Sequence, residues 1–425
     1  VRLQSHLKEN PNLTKLKESK TDLVVFTTKN CDWCKLLKVF LDQHGISYKI
    51  EEIDTTRIEN FKSMFNNVYE TTGDITFPRV IQDKVCIGGF TETVEKFRQT
   101  IDYESLGSCV KTLVTNLNQV IDVNFYPSEN GERSNVKHRP IGLGVQGLAD
   151  TFAKMWIPFE SQHATDVNKL IFEAIYYYSV KTSMELSMEH GYYDTFPGSP
   201  MSKGIFQFDM WENGTKNLSG NFDWENLRDQ VKAYGVRNSL LIALMPTAST
   251  AQIMESTESF EPFNSCMYTR RTLSGEFIVI NRFLIRILIG IGLWNTEMKQ
   301  RVMYHRGSIQ KINSIPAFVK DMFKTVWEIK KSHLINMSAD RGVFVCQGQS
   351  FNHYIESTGN SESMTKDMTQ IHMYCWKKGL KTGSYYTRTK PAANAQSFTL
   401  DPDLEKKFID EMKTSDEDIC LNCGA

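Results

Sequence analysis

Two cysteines spaced two apart, directly after a buried strand and at the head of a helix, leave few folds open, and Cys31-Asp32-Trp33-Cys34 stands in that position. Residues 23–26 before it read Leu-Val-Val-Phe, a buried strand, and Leu36, Leu37, Phe40 and Leu41 form a helical stripe after it. Residues 48–53 predict a second strand, 58–68 a second helix, 79–81 with 85–87 a hairpin, and 91–100 a last helix. The order is β-α-β-α-β-β-α. Unpaired N–H groups at a helix N-terminus favour a thiolate, which makes Cys31 the nucleophile and Cys34 the resolving thiol. The alternative, half of a zinc site, needs a second ligand pair that Cys86 alone does not supply.

A second pair, Cys420-Leu421-Asn422-Cys423, closes a polar C-terminal tail. A dithiol at each end suggests a relay, one pair reducing the other through a mixed disulfide. The middle should then hold the electron consumer. The chain has 425 residues and a formal net charge of −1, so it predicts two or three packed domains and offers no long-range field for nucleic acid or an anionic membrane. Nine cysteines without a signal peptide fit a reducing compartment, and the cytoplasm is expected. The most apolar run, residues 277–294, carries Asn281, Arg282 and Arg286 and reads as a buried or half-buried helix rather than a membrane span. Residues 1–21 read as a polar, fraying extension, 22–102 as the first domain, 103–400 as the second and 401–425 as a flexible redox tail.

Leu106, Val110, Leu113, Val114, Leu117, Val120 and Ile121 fall on one helical face and open the second domain. Gly142-Leu143-Gly144-Val145-Gln146-Gly147 matches G-x-G-x-x-G but follows no clear strand, so it reads as a tight turn entering a helix over 148–155. An apolar strand over 237–245 runs into Pro246 and a loop of small hydroxyl residues, Thr247, Ala248, Ser249 and Thr250. Such a loop suits either a phosphate cradle or a helix cap with spare hydroxyls. Tyr385 and Tyr386 are adjacent; on a regular strand they would face opposite ways, so stacking them needs a local irregularity.

Residues 22–100 resemble glutaredoxin. The resemblance rests on the Cys31 to Cys34 pair, on Thr76-Phe77-Pro78 where the family has a cis-proline loop, and on Gly88-Gly89 followed by Thr91-Glu92. It implies glutathione as reductant, held by Thr76, Phe77 and Pro78 through backbone hydrogen bonds and by Gly88 and Gly89 at the γ-glutamyl end. The commonest family pair encloses Pro-Tyr, here Asp32-Trp33, and Lys29 lies one place nearer the first cysteine than the family's lysine. Lys29 is thus a glutathione contact or a solvated lysine.

Residues 103–425 resemble the C-terminal part of the large, catalytic subunit of class I ribonucleotide reductase. The motifs are Asn135-Val136-Lys137-His138-Arg139-Pro140-Ile141-Gly142, the run 245–252, Tyr268-Thr269-Arg270-Arg271-Thr272-Leu273-Ser274-Gly275-Glu276-Phe277, the block 382–394 and the terminal pair. The expected fold is therefore α/β: a thioredoxin-like glutaredoxin domain followed by the C-terminal half of the ten-stranded α/β barrel of that family. The resemblance implies that Thr247, Ala248, Ser249 and Thr250 hold a ribonucleoside diphosphate. It also implies that Tyr385 and Tyr386 pass a radical from a small subunit carrying the metal centre, and that Cys420 and Cys423 re-reduce the active site. Leu244 stands where proline is common, and Cys346 and Gly348 stand where the family has an acid and a serine.

The family's radical cysteine, in Asn-x-Cys-x-Glu, and its two reducing cysteines precede the matched part, and glutaredoxin takes their place here. Cys266, in Asn264-Ser265-Cys266-Met267-Tyr268, lacks the glutamate and receives no radical role. The expectation is one piece of a split reductase, with no metal of its own and no nucleic acid or membrane partner. It would be completed by a chain carrying the N-terminal half of the large subunit. The alternatives are an active glutaredoxin tethered to an inert remnant, or a non-enzymatic module that docks reductase subunits. Half a barrel exposes a strand edge that some partner must cover.

Overall fold

The computed structural model describes residues 1–19, 23–71, 75–356, 361–390 and the three positions Leu404, Lys406 and Phe408. The first nineteen residues, expected to fray, are ordered. A 3-10 turn (Leu3–Ser5) leads to strand β1 (Leu7–Lys8) and helix α1 (Pro11–Ser19). The composition is polar, but Leu3, Leu13 and Leu16 are buried, and the last two are one helical step apart on the same face. Asn10 caps α1, its Oδ1 accepting from Leu13 N at 2.9 Å, while its Nδ2 donates to Lys96 O and Arg98 O at 2.8 Å each.

The thioredoxin-like unit follows as predicted in type and order: β2 (Leu23–Thr28), α2 (Asp32–Gln43), β3 (Tyr48–Ile53), α3 (Ile58–Tyr69), β4 (Arg79–Gln82), β5 (Val85–Gly88) and α4 (Phe90–Phe97). Its four-stranded sheet runs β3-β2-β4-β5, with β2 parallel to β3 and antiparallel to β4. Strand β2 lies in the middle because Leu23, Val25 and Thr27 are buried at every second position. Then β6 (Thr100–Ile101) pairs antiparallel with β1, Leu7 opposite Ile101 and Lys8 opposite Thr100. The chain thus enters and leaves the glutaredoxin-like unit through one two-stranded stem.

Helix α5 (Tyr103–Val123) opens the second domain and lies along α8 (Gln162–His190), with α6 (Glu129–His138) and α7 (Leu148–Lys154) between them in sequence. Leu106, Val110, Val114 and Ile121 bury as expected, whereas Val120 points out at 49% exposure. The barrel portion is a row of short parallel segments: Arg2 bridges Gln146, Leu143 bridges Ile242, and Leu244 bridges Gln349. Its first member comes from the chain's own start. Val1 donates its ammonium to Gly144 O at 2.8 Å, Gln146 N donates to Val1 O at 2.9 Å, and Leu3 N to Gln146 O at 3.1 Å.

Further along come α9 (Trp224–Tyr234), α10 (Ala248–Ile253) and the hairpin β7 (Met267–Thr272) with β8 (Gly275–Ile280). They are followed by α11 (Arg282–Gly290), α12 (Thr296–Tyr304), α13 (Ala317–Met322), α14 (Lys331–Gly342), β9 (His353–Glu356), α15 (Ser361–Lys377) and β10 (Thr387–Lys390). The run 277–294 is not one helix. Asn281 accepts from Phe283 N and Leu284 N at 3.0 and 3.1 Å, so the residues before it stay in β8 and only Arg282–Gly290 coils. One apolar cluster runs without a break from β2 and α2 into the barrel portion, and a smaller one around Phe61, Phe65, Ile75 and Ile81 covers the other sheet face. Among the described residues, no helix is long and apolar enough to cross a membrane and no three His, Cys, Asp or Glu side chains gather to hold a metal.

Candidate functional site

Cys31 occupies the N-cap of α2, its Sγ accepting from Cys34 N at 3.1 Å, and is bonded to Cys34 across a Cα–Cα distance of 5.2 Å. Cys34 is buried and Cys31 half-buried, so an attacking thiol or a disulfide substrate reaches Cys31 first. Phe77-Pro78 is cis, and Phe77 O lies 3.8 Å from Cys31 Sγ. Thr76 is exposed beside it and Pro78 buried, while Lys29 is exposed on the turn before α2. Gly88 has φ +129°, and a Cβ there would lie 2.8 Å from Glu92 Cβ, so this turn requires glycine. Gly89 N donates to Glu92 Oε2 at 2.8 Å, so a ligand carboxylate arriving at the turn meets Glu92.

After reduction, Cys31 is expected to alkylate at least about tenfold faster than Cys34 near neutral pH, because it alone combines a helix N-terminus with solvent access. Mass spectrometry after substoichiometric iodoacetamide reads the ratio. Equal rates would remove the assignment of nucleophile and resolving thiol.

The hydroxyl-rich loop is shaped by bonds on both sides. Thr247 is left-handed at φ +57° where α10 begins, and its Oγ1 accepts from Ser259 N at 2.8 Å, so it holds the loop instead of capping the helix. Thr250 Oγ1 donates to Thr247 O at 3.1 Å, and Ala248, Ser249 and Thr250 are exposed. Beneath the loop, Asp150 Oδ2 accepts from Thr257 N at 2.6 Å and from its hydroxyl at 3.2 Å. Burial pushes the Asp150 carboxyl up, and those two bonds pull it back down. Gly147, at φ +82°, caps α7 and donates to Thr257 O at 3.0 Å, so the glycine run is the turn into a helix that its sequence predicts.

Tyr385 and Tyr386 lie with ring centroids 4.2 Å apart at 58°, both about half exposed. They sit just before β10 in a bend, not in a regular strand, and this irregularity lets adjacent rings meet, tilted rather than stacked. Tyr385 N donates to Phe351 O at 2.7 Å and His353 N to Tyr386 O at 2.8 Å, which pins the pair to the start of β9. A hydrogen bond to Tyr386 and that residue's charge hold the Tyr385 phenol above its usual range. The segment that ends in the loop bridges, through Leu244 and Gln349, the segment 349–353 to which both tyrosines are hydrogen-bonded.

The dithiol has other surroundings: Phe77 O faces Cys31, and the ring of Trp33, between the two cysteines in sequence, lies against Phe90 and against Phe318 of the barrel portion. Cys420 and Cys423 lie outside the described residues. Phe408, within the expected flexible tail, is instead buried, 5.6 Å from the Tyr304 ring and under the Arg301 guanidinium at 4.7 Å.

Sequence reasoning missed a buried polar group between loop and tyrosines. Glu261 accepts from Asn352 Nδ2 and Tyr354 Oη, each at 3.2 Å, and burial raises its pKa to about 7. Arg341, fully buried, lies 3.9 Å over Phe260 and donates to Gln349 Oε1 at 2.8 Å. The motif residue Arg139 is scaffolding: it grips Asp122 with two bonds of 2.7 Å and Asn118 with three more, tying α5 to the end of α6. Cys346, in the place of an acid, accepts from Leu241 N and Ile242 N at 3.1 Å each. Cys266 is sealed, and burial pushes its thiol far up.

With this geometry in hand, residues 78–386 match the family model for the ribonucleotide reductase barrel domain, and residues 23–87 that for glutaredoxin. The large chain of ribonucleoside-diphosphate reductase from Cryptosporidium parvum is 46% identical over 330 residues, covering 77% of this chain and 40% of that one. The large subunit from Danio rerio is 49% identical over 320 residues, covering 75% and 39%. That from Variola virus is 48% identical over 323 residues, covering 76% and 40%. The chain therefore spans about two fifths of the length of these relatives. Among solved structures, the alpha subunit of the class Id ribonucleotide reductase of Actinobacillus ureae superposes with a TM-score of 0.53 at 25% identity, over 68% of this chain and 46% of that one.

Proposed function

The chain belongs to the ribonucleotide reductase large-subunit barrel family and carries a glutaredoxin domain, and from that premise we propose that it is one part of a ribonucleoside-diphosphate reductase with a built-in electron supply. The observation that carries this reading is that the segment entering the loop 247–250 bridges, through Leu244 and Gln349, the same segment to which Tyr385 and Tyr386 are hydrogen-bonded at Phe351 and His353. The loop's exposed amides and hydroxyls suit a diphosphate, and the two phenols suit transfer of a radical from a small subunit with its own metal centre. Cys31 receives electrons from glutathione, which lies along Lys29, Thr76, Phe77, Pro78, Gly88 and Gly89, and Cys34 resolves the mixed disulfide. Cys420 and Cys423 then carry the electrons to the site of nucleotide reduction. No Asn-x-Cys-x-Glu occurs in these 425 residues, and a partner carrying the N-terminal half of the large subunit would supply that thiyl-radical cysteine, with the cytoplasm as the expected compartment.

A second reading, a glutaredoxin joined to an inert remnant, draws on the same absence and on the two-fifths coverage. The relay separates the two. The twelve residues from Phe408 to Cys420 can reach roughly 40 Å when extended, and tethering gives each pair a local concentration of about a millimolar at the other. With Cys34→Ser, a disulfide between Cys31 and Cys420 or Cys423 is expected in peptide maps of the oxidised chain. Glutathione alone trapped on Cys31 would reject the internal relay.

A further inference from the structure

The glutaredoxin domain is docked, not hung on a linker. Trp33 lies 5.1 Å from Phe90 of its own domain and 6.1 Å from Phe318 on α13 of the barrel portion, with Phe90 4.9 Å from the same Phe318. Trp156 joins the group, 5.3 Å from Phe40 and 6.4 Å from Phe318. Beside it, Val39 of α2 fits so closely against α11 that a Cβ at Gly290 would lie 2.5 Å from Val39 Cγ2. Trp33 stands between the two cysteines, so the ring that meets the barrel is adjacent to Cys34 and two residues from Cys31. On this flank a globular disulfide substrate would strike α13 before its sulfur reached Cys31. Lys29 and Thr76, which flank the dithiol in the turn before α2 and in the cis-proline loop, are exposed.

We propose that the barrel face around Phe318 is a specificity wall for the dithiol, admitting glutathione and extended cysteine-bearing peptides while turning away disulfides on folded proteins. The proposal rests on the glutaredoxin reading of Cys31 and Cys34. In the step concerned, the Cys31 thiolate attacks one sulfur of the substrate disulfide, which breaks as the Cys31–substrate bond forms, and the departing thiolate takes a proton from water. Cys34 loses its proton and attacks Cys31 Sγ, releasing the second substrate thiol and closing Cys31–Cys34. Two glutathione thiols reopen that bond and leave as glutathione disulfide, so two electrons and two protons pass from glutathione to substrate. A wall affects only the first attack, because only there does a large leaving body approach.

The test uses the full chain with three substrates: bis(2-hydroxyethyl) disulfide, an oxidised synthetic peptide of residues 415–425, and serum albumin carrying a mixed disulfide with cysteine. In the wild type, kcat/KM with albumin is expected to fall far below that with the peptide. Phe318→Ser should raise the albumin value about tenfold, within the range a pocket wall contributes to discrimination, and leave the two small substrates within about twofold. Gly290→Val, which wedges the same interface without touching Phe318, should give the same pattern even where Phe318→Ser fails to fold. Equal wild-type values for albumin and peptide, or an albumin value unmoved in a folded variant of either kind, overturns the wall. Failure to reduce any of the three substrates rejects the glutaredoxin reading beneath it.

Discussion

In an assembly of this chain with an N-terminal half of the large subunit and a radical-bearing small subunit, Tyr386→Phe is expected to cut nucleotide reduction by ~10³-fold or more, the scale on which an indispensable group falls. The substitution keeps the ring that lies 4.2 Å from that of Tyr385 and removes only the phenolic hydroxyl, the part that can pass a proton with an electron. Both rings are about half exposed, so the fold should change by under about 0.5 kcal/mol. Reduction of a small disulfide by glutathione should be untouched. The chain alone offers a further readout: without its Tyr386 partner, Tyr385 should titrate at lower pH, since that hydrogen bond holds it up. Without the complementing half, ribonucleoside diphosphates should remain unreduced whatever amount of small subunit is added. Turnover in its absence would refute the need for a missing radical cysteine, and full activity of Tyr386→Phe in the assembly would refute the radical path.

Glu261→Gln is expected to stabilise the protein above neutral pH and to flatten its stability profile between about pH 4.5 and 7. In the folded chain burial raises this carboxyl from 4.5 to about 7, so the native state binds the proton more tightly than the unfolded chain does. Its stabilising contribution is full below pH 4.5, declines as pH rises through the window and levels off above about 7. A shift of that size corresponds to roughly 3 kcal/mol at alkaline pH. Glutamine keeps an acceptor for Asn352 and a polar partner for Tyr354 without a charge to bury. Urea melts of wild type and variant at pH 4.5 and 8 measure the difference. Identical pH slopes in the two proteins would mean that folding does not shift the Glu261 carboxyl.

Features set by local chemistry were legible in the sequence, and features set by distant partners were not. The strand-dithiol-helix unit could be read because β2 alternates in burial and Cys31 and Cys34 announce a helix start. The turn at Gly147 could be read because a glycine run that follows no strand favours a positive-φ turn. The first nineteen residues misled because their anchoring leucines, Leu3, Leu13 and Leu16, are few among polar neighbours and bury against surfaces far along the chain. The helix expected over 277–294 failed at Asn281, whose capping role competes with an apolar run that looks continuous. Thr247 could be taken for a cap or a cradle until Ser259 proved to claim its hydroxyl. Glu261 carries no motif at all; its elevated pKa arises from burial among residues that α14 and β9 bring in from a distance.

The stem formed by β1 and β6 makes the glutaredoxin domain the loop of a hairpin. Lys8 and Thr100 are cross-strand partners although 92 positions separate them. Closing a flexible loop of that length would cost roughly 4 kcal/mol in chain entropy, more than two backbone pairs return. A folded glutaredoxin domain has already brought its two ends together, so the stem then closes at little further cost. The barrel's first parallel segment, from Val1 to Leu3, therefore depends for its placement on the folded state of a domain that forms none of its hydrogen bonds. Unfolding the glutaredoxin should loosen the edge of the barrel, and hydrogen exchange at the Leu3 and Gln146 amides would record that coupling.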